Sequence, residues 1–315
     1  MMTNQGSARS GKTVLRRATR KGSTPGFIRL YRVTRLLLHL VYGCYRVGVL
    51  FPFYSWNRRV AATKRWSRQL LRILHLRLTV HGSLPSAQVP TMIVSNHVSW
   101  LDIWVLDSVL PVRFVAKSDI RRWPLIGFLV SRAGTIFIER SKPQDTARTN
   151  QAIVEALTRG ERVAMFPEGA TTDGTKVKPF HASLFQPALG AGARVVVVAL
   201  RYVNADGSPN LDASYVGERS LWESLRLILA QRSLHAELTF AATIDVGGRT
   251  RREIARAAEC ATADALQLPR PGTKTGTAAG PPDATPSTFS PTGTPYPVRS
   301  RSAPALAPAL TSGRR

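Results

Sequence analysis

The stretch Thr91–Asp102, TMIVSNHVSWLD, decides the fold of this chain. It begins with a continuous apolar run, breaks at a polar Ser-Asn-His step and continues in a helical pattern. A continuous apolar run is typical of a strand that is covered on both faces of a sheet. In open α/β sheets, ligands bind beyond the carboxyl ends of such strands. The segment therefore predicts a strand, a turn and a helix, with a functional histidine in the turn.

His97 and Asp102 lie five residues apart in this segment. If His97 occupies the turn and Asp102 the first turns of the helix, the carboxylate can reach a nitrogen of the imidazole ring. It would then fix the tautomer of the ring, stabilise the imidazolium and leave the other nitrogen free as a general base. The alternative interpretation is a turn histidine that only caps the local backbone. The other segments of the chain decide between the two.

From Pro90 to about residue 268, short apolar runs alternate with helical patterns. The expected strands are Thr91–Ser95, Val112–Ala116, Thr135–Ile138, Arg162–Phe166, Arg194–Tyr202 and Glu237–Ile244. Such alternation predicts an α/β fold with a mixed, largely parallel sheet flanked by helices.

The charge of the chain is unevenly distributed. The 315 residues include 44 Lys and Arg against 19 Asp and Glu, a formal net charge of +25. Residues 1–80 hold 17 of the basic residues and no acidic residue, whereas residues 81–268 hold 21 basic and 18 acidic residues. A basic N-terminal part therefore precedes a nearly neutral body, and such a part favours an anionic partner.

Two basic amphipathic helices are expected in this N-terminal part, at about residues 26–53 and 56–76. The basic residues of the first lie on one arc, opposite a wider apolar face: Arg29, Arg32, Arg35 and Arg46. Its longest run without these arginines has ten residues, whereas a span of the bilayer needs ~20. The pattern predicts a two-helix motif that lies on the cytoplasmic face of the cytoplasmic membrane, peripheral or monotopic, against an anionic lipid surface.

The chain is predicted to have four parts. They are a basic disordered leader (1–25), the two-helix membrane-associating motif (26–78), the α/β domain (79–268) and a disordered tail rich in Pro, Gly, Ser and Thr (269–315). Cys44 and Cys260 have no Cys or His cluster near them, so neither a disulfide framework nor a metal site is expected.

Four segments, in this order, resemble the sequence blocks of the lysophospholipid acyltransferase family, whose type member is 1-acylglycerol-3-phosphate acyltransferase. The segments are Asn96-His97 through Asp102, Gly134 through Phe137-Ile138-Glu139-Arg140, Phe166-Pro167-Glu168-Gly169, and the apolar strand Val195 to Leu200. An ordered set of four blocks is more specific than any one of them.

The resemblance implies an acyltransferase of the same α/β fold. His97 would remove the proton from the free hydroxyl of a lysolipid, first of all 1-acylglycerol-3-phosphate, and Asp102 would orient the imidazole. The hydroxyl would attack the thioester of acyl-CoA or of acyl carrier protein. Neither a cofactor nor a metal is implied beyond this acyl donor.

The resemblance also implies how the acceptor is held. Lys117 and Arg140 would bind its anionic headgroup, since cationic side chains bind phosphate and carboxylate groups. Glu168 and Gly169 would shape the acceptor loop. An alternative for Glu168 is that its carboxylate only caps the backbone N–H groups of that loop.

The third block departs from the family pattern. Where the family usually continues with Thr-Arg-Ser, this chain has Ala170-Thr171-Thr172-Asp173-Gly174, which lacks the Arg and adds an Asp. Family members that acylate lyso-ornithine lipid tend to carry a loop of this kind. Lyso-ornithine lipid or another lysophospholipid is therefore the alternative acceptor.

Two other classes of function fit parts of the sequence. The basic N-terminal part would suit a nucleic-acid-binding protein, but that function leaves His97, Asp102 and the third block without a role, so no nucleic-acid partner is expected. A lipid hydrolase of the Ser/His/Asp type needs an exposed nucleophile, and the chain has no G-x-S-x-G motif.

Overall fold

The computed structural model describes residues 24–84, 89–110, 112–138 and 143–271. Within these ranges the chain forms one seven-stranded sheet of the order β1-β7-β6-β2-β5-β3-β4. Its strands are β1 (Leu76–His81), β2 (Thr91–Ser95), β3 (Arg113–Lys117), β4 (Ile136–Ile138), β5 (Val163–Met165), β6 (Arg194–Val203) and β7 (Leu234–Ile244). Strands β6, β2, β5, β3 and β4 are parallel, whereas β7 is antiparallel to β6 and β1 is parallel to β7. The predicted mixed, largely parallel sheet is confirmed.

Helices cover both faces of the sheet. They are α1 (Gly26–Tyr45), α2 (Trp56–Ile73), α3 (Asp102–Val109), α4 (Ile126–Arg132), α5 (Pro143–Thr158), α6 (Gln186–Gly190), α7 (Leu221–Ala230) and α8 (Arg251–Ala265). One apolar core joins the sheet to α1, α2, α3 and α7, and the other joins it to α5, α6 and α8. Alternate residues of β6 enter the two cores, which explains why its sequence is continuously apolar from Val195 to Leu200.

Strand β1 lies where the sequence predicted the end of the second helix. Helix α2 ends at Ile73, and His75 has a positive φ of 54° that ends the helical path. The following residues then pair with β7 from Leu76 to His81. The predicted boundary between residues 78 and 79 falls inside this strand. The predicted leader and tail lie largely outside the described residues.

Helix α1 exposes many of its large apolar side chains and buries two of its polar ones, unlike a helix of a water-soluble protein. Its buried side includes two polar residues beside the apolar Leu36. The Arg32 guanidinium donates hydrogen bonds to the carbonyl oxygens of Gln231 (2.7 Å) and Arg232 (3.1 Å) at the end of α7. His39, also buried, stacks on Trp66 with 4.4 Å between the ring centroids. The large apolar side chains of α1 are exposed instead: Phe27, Leu30, Tyr31, Leu37, Leu38, Val41, Tyr42 and Tyr45. Arg32, one of the four arginines of the predicted basic arc, therefore faces the protein.

Helix α1 continues without a break through a π-helical turn and a 3₁₀ turn to Phe53. By length and composition alone, this 28-residue stretch is apolar enough to cross a membrane. Helices α1 and α2 thus occupy the two stretches that were predicted to be helical. The membrane-associating motif itself stays a prediction.

Candidate active site

The turn after β2 is held to the neighbouring strand by the side chain of Asn96. Its amide nitrogen donates to the carbonyl oxygen of Leu200 and its amide oxygen accepts from the Leu200 N–H, both at 2.8 Å. The side chain thereby replaces one rung of the β2–β6 ladder just where β2 ends. His97, the next residue, begins the turn from a fixed position at the carboxyl edge of the sheet.

His97 and Asp102 are in contact, as their spacing predicted. The Oδ2 atom of Asp102 lies 2.7 Å from Nδ1 of His97 and also accepts hydrogen bonds from the backbone N–H groups of Val98 (2.7 Å) and Ser99 (2.9 Å). The Asp102 side chain is fully buried, whereas 20% of the His97 side chain is exposed. Among the described residues, Nε2 of His97 has no hydrogen-bond partner, so this nitrogen can accept a proton from a ligand.

Tyr202 completes the hydrogen bonding of Asp102. Its buried hydroxyl, near the end of β6, donates to Oδ1 of Asp102 at 2.7 Å. Burial and the charge of Asp102 raise the pKa of Tyr202 well above its usual value, so the phenol keeps its proton. Sequence reasoning missed this residue. The only signal was a polar atom inside an otherwise apolar strand.

An aromatic pair packs behind His97. The ring of Phe166 stacks on the imidazole with 3.9 Å between the centroids and 10° between the planes, and Phe114 lies 6.1 Å beyond Phe166. Since the imidazole is clasped between this stack and Asp102, its orientation is set by two independent contacts.

The predicted acceptor loop packs onto the turn that carries His97. Gly169 has φ 73°, a conformation that favours glycine. The backbone N–H of Thr172 donates to the carbonyl oxygen of His97 at 2.8 Å, and the Thr171 hydroxyl donates to the carbonyl oxygen of Tyr215. Asp173 accepts from the N–H and hydroxyl of Thr175 at 2.9 and 2.6 Å, which lowers its pKa and keeps it charged.

Glu168 is a buried carboxyl group within this loop. Neither of its oxygens has a hydrogen bond of ordinary geometry among the described residues, so the predicted alternative of a backbone cap is not observed. Burial first, and then the charge of Asp102, raise the pKa of Glu168 to about 8, although Lys178 and nearby backbone N–H groups of His97 and Lys178 act in the opposite direction. Glu168 is therefore protonated at neutral pH.

The two predicted headgroup cations are less well placed by the structure. Lys117 is exposed at the end of β3, two strands from β2 in the sheet order and therefore about 10 Å away across the sheet. Arg140 lies outside the described residues. The roles assigned to His97, Asp102, Lys117, Arg140, Glu168 and Gly169 remain predictions.

A large apolar cavity adjoins the aromatic pair. Its volume is ≈ 1030 Å³, space open to solvent included, and it is enclosed by α1 and its continuation, α2, α3, β3 and α4. Side chains on four of these elements line it: Val47, Trp66, Trp104 and Phe114. Asp107 is the one acidic residue of the lining, and burial raises its pKa well above its usual value. Phe114 lines the cavity and also packs against Phe166, which stacks on His97. The rings of Phe114 and Phe166 therefore lie between the cavity and His97.

Comparison with known proteins places the chain in a class. Residues 77–201, which include β2, the turn, the loop and most of β6, match the family model described as Acyltransferase. The lyso-ornithine lipid O-acyltransferase of Pseudomonas aeruginosa is 39% identical over 210 residues, which are 66% of this chain and 79% of that protein. The chain belongs to this acyltransferase family and is an acyltransferase.

Two further proteins are similar to this chain, one in sequence and one in structure. The 1-acyl-sn-glycerol-3-phosphate acyltransferase of Neisseria gonorrhoeae is 37% identical over 191 residues, covering 61% of this chain and 73% of that protein. The crystal structure of the 1-acyl-sn-glycerophosphate acyltransferase of Thermotoga maritima matches with a TM-score of 0.56 at 18% identity, over 76% of this chain and 94% of that chain. The fold seen here is thus the fold of that enzyme.

The buried carboxyl of Glu168 generates a prediction about stability. In the unfolded chain it ionises above its ordinary pKa of 4.5, whereas in the fold it stays protonated up to about pH 8. Rising pH within this window therefore favours the unfolded chain. Glu168→Gln removes this effect, so the stability of the variant relative to the wild type is expected to increase by about 3 kcal/mol between pH 5.5 and 7.5. Urea unfolding at the two pH values measures this difference.

Glu155→Gln serves as the control, because the Glu155 side chain is 55% exposed. The difference in stability between this variant and the wild type is expected to be the same at pH 5.5 and pH 7.5. A stability difference for Glu168→Gln that is equal at both pH values would contradict the burial of a protonated carboxyl group.

Proposed function

We propose that this chain transfers a fatty acyl group from a thioester donor to the free hydroxyl of a lysolipid, with His97 as the general base. The observation that carries the proposal is the contact of His97 Nδ1 with a fully buried Asp102. A histidine held by one nitrogen has a defined tautomer, and its other nitrogen is available to a substrate hydroxyl. The names of the relatives, lyso-ornithine lipid and 1-acylglycerol-3-phosphate acyltransferases, supply the acceptor class.

The reaction needs one proton carrier. Nε2 of His97 accepts the hydroxyl proton as the oxygen attacks the thioester carbonyl, and the C–S bond breaks as the new ester forms. The proton then passes from the imidazolium to the thiolate that leaves. Asp102 stabilises the imidazolium, and its own charge is held by Val98, Ser99 and Tyr202.

The apolar cavity fits the acyl chain of a lipid substrate. Its lining is almost wholly apolar, and its wall at Phe114 is close to the ring stack behind His97. An acyl chain in this cavity buries its methylene groups at about 0.8 kcal/mol each, while the thioester carbonyl reaches His97. The donor is acyl-CoA or acyl carrier protein.

The acceptor is 1-acylglycerol-3-phosphate, with lyso-ornithine lipid as the second candidate. The loop chemistry supports the second candidate: Thr171 stands where the family pattern has an arginine, and a charged Asp173 follows two residues later. An additional negative charge repels a phosphate monoester, whereas ornithine carries an ammonium group that a carboxylate attracts.

The enzyme works at the cytoplasmic face of the membrane, held by its N-terminal helices. The outward apolar face of α1 supports this proposal, because it would be unfavourable in water and is matched by the acyl region of a bilayer. The uncompensated arginines of the first 80 residues complement anionic headgroups.

Replacement of His97 tests the base. His97→Ala is expected to reduce kcat about 10³-fold, because a positioned general base contributes a factor of this order. The measurement is transfer of radiolabelled acyl groups to a lysolipid in detergent. His181→Ala, which removes an exposed histidine, is the matched control and retains full activity.

Tyr202→Phe gives a graded comparison, since it removes one of four donors to Asp102 and is expected to reduce kcat about tenfold. Retention of wild-type activity by a folded His97→Ala protein would disprove the role of His97.

An acceptor panel tests the substrate. Purified enzyme with one acyl-CoA is offered lysophosphatidic acid, lyso-ornithine lipid and other lysophospholipids, and we expect label in lysophosphatidic acid. Asp173→Asn keeps the acceptor oxygen for Thr175 and removes the charge, so it is expected to raise kcat/KM for lysophosphatidic acid relative to lyso-ornithine lipid. Label in lyso-ornithine lipid alone would establish the second acceptor, and no transfer to any acceptor from either donor type would contradict the proposed function.

Membrane contact is tested by a charge on the exposed face of α1. The double variant Leu38→Glu/Val41→Glu places two carboxylates at side chains that are 65% and 62% exposed. We expect it to lose flotation with vesicles that contain anionic phospholipid and to keep its activity on detergent-dispersed substrate. The control is Leu211→Glu, at an exposed leucine (52%) outside α1. Unchanged flotation of the double variant would place the membrane contact elsewhere.

A further inference from the structure

A second basic feature lies at the β1 edge of the sheet. Arg72 at the end of α2, Arg77 on β1 and Arg232 just before β7 line a groove of ≈ 670 Å³, space open to solvent included. Its remaining lining residues are His75, Leu76 and Ser233. We call this feature the basic groove. The mechanism described above makes no use of it.

The charge of the basic groove is uncompensated. None of its three arginines takes part in an ion pair within the described part of the chain. The acidic residue of β7 that faces β1, Glu237, is opposite Thr79 and pairs with Arg201. Burial, and then the charges of Arg32 and Arg35, lower the pKa of His75. The positive charge of the groove at neutral pH therefore comes from the three guanidinium groups.

The backbone around the basic groove is fixed. The His75 N–H donates to the carbonyl oxygen of Arg72, the Leu234 N–H donates to the carbonyl oxygen of His75, and the buried Arg32 holds the carbonyl oxygen of Arg232. The three arginines thus project from a rigid frame made of the end of α2 and the starts of β1 and β7. A fixed frame lowers the entropy cost of binding an anion.

The basic groove lies at the same end of the sheet as His97. Asn96 is level with Leu200 through its side-chain hydrogen bonds, Leu200 pairs with Leu238, and Leu238 pairs with Val80. Because β1 runs opposite to β2, Leu76 at the start of β1 lies four positions beyond the level of Asn96, which is about 13 Å along the strands. Strand β1 is also three strands away from β2, which is about 14 Å across the sheet. The separation between His97 and the groove is therefore roughly 19 Å by this strand geometry.

We propose that the basic groove binds the phosphate groups of the acyl donor, the 3′-phosphoadenosine diphosphate of acyl-CoA. The proposal rests on the proposed function, because it needs a thioester carbonyl at His97. The pantetheine linker between the thioester and the diphosphate has the backbone length of between four and five residues and reaches roughly 15 Å when extended. The ribose 3′-phosphate lies beyond the diphosphate, so the donor can span the distance. Planar guanidinium groups bind phosphate oxygens in pairs, which suits three arginines around one groove.

The first experiment compares two donors in the full-length enzyme. Arg72→Ala/Arg77→Ala is assayed with acyl-CoA and with the corresponding acyl-pantetheine, which has the same thioester and linker and no phosphate. We expect KM for acyl-CoA to rise at least tenfold, KM for acyl-pantetheine to stay unchanged, and kcat to stay unchanged with both. Arg58→Ala/Arg65→Ala removes the same charge from exposed positions of α2 outside the groove and is expected to change neither KM.

A second experiment does not depend on acyl transfer. Binding of adenosine 3′,5′-bisphosphate is measured by calorimetry, and we expect at least a tenfold weaker Kd for the groove variant and an unchanged Kd for the control variant. An enzyme that binds the bisphosphate in this way but transfers no acyl group would leave the groove assigned and would refute the proposed function alone.

Three results would overturn the proposal: an unchanged KM for acyl-CoA, an equal rise of KM with both donors, or equal bisphosphate binding by the groove and control variants. Flotation with anionic vesicles distinguishes the other source of phosphate. If the groove variant loses vesicle binding while its KM for acyl-CoA is unchanged, the groove holds a lipid headgroup and the assignment to the donor is wrong.

Discussion

The fully buried carboxylate of Asp102 is the constraint around which the site is built. A buried charge is unfavourable unless hydrogen bonds replace its hydration, and Asp102 has four donors: the imidazole of His97, two backbone N–H groups of its own turn, and Tyr202. Three of them come from one turn, and the fourth comes from β6, a hundred residues later in the chain. Satisfying this one charge therefore fixes the turn after β2, the rotamer of His97 and the register between β2 and β6 together. It also explains why Glu168, which is buried close to the same charge and has no hydrogen bond of ordinary geometry among the described residues, keeps its proton.

The buried polar side chains of helix α1 also make hydrogen bonds, and the consequence is that its apolar face points outward. Arg32 faces the protein because the carbonyl groups of Gln231 and Arg232, just past the end of α7, have no helical partners, and one guanidinium can donate to both of them. His39 faces inward for its stack and its hydrogen bond with Trp66. Once the polar arc is used for these contacts, the apolar arc must point outward. The exposed face of α1 is thus a consequence of how the helix is anchored, and it needs an apolar environment of its own.

The sequence predicted the parts of the molecule that local pattern determines. The strand at Thr91–Ser95, the turn and the His97–Asp102 contact follow from short-range spacing, and the largely parallel sheet follows from the alternation of apolar runs. The sequence could not predict Tyr202 as a partner of Asp102, because that contact depends on the pairing of β2 with β6. It also could not predict β1, whose partner β7 lies about 150 positions away, or the orientation of α1. A helical wheel separates two arcs but does not say which of them meets the protein.

Because β7 and β1 run opposite to the other strands, the starts of these two strands lie at the same end of the sheet as His97. This end of the sheet can therefore bind a whole thioester donor on the proposed function. In a fully parallel sheet, the starts of these strands would lie at the end opposite to His97, and residues such as Arg77 and Arg232 would be out of reach of a thioester there. With β7 antiparallel to β6, the basic groove and His97 lie at the same end of the sheet, and the cavity wall at Phe114 lies further along the strand order β1-β7-β6-β2-β5-β3, level with Ile93 of β2. Acyl-CoA has its own parts in the same sequence: phosphates, linker, thioester and acyl chain. On the proposed function, the donor therefore lies across the strand ends with its reactive carbonyl at His97, between the phosphates in the groove and the acyl chain in the cavity.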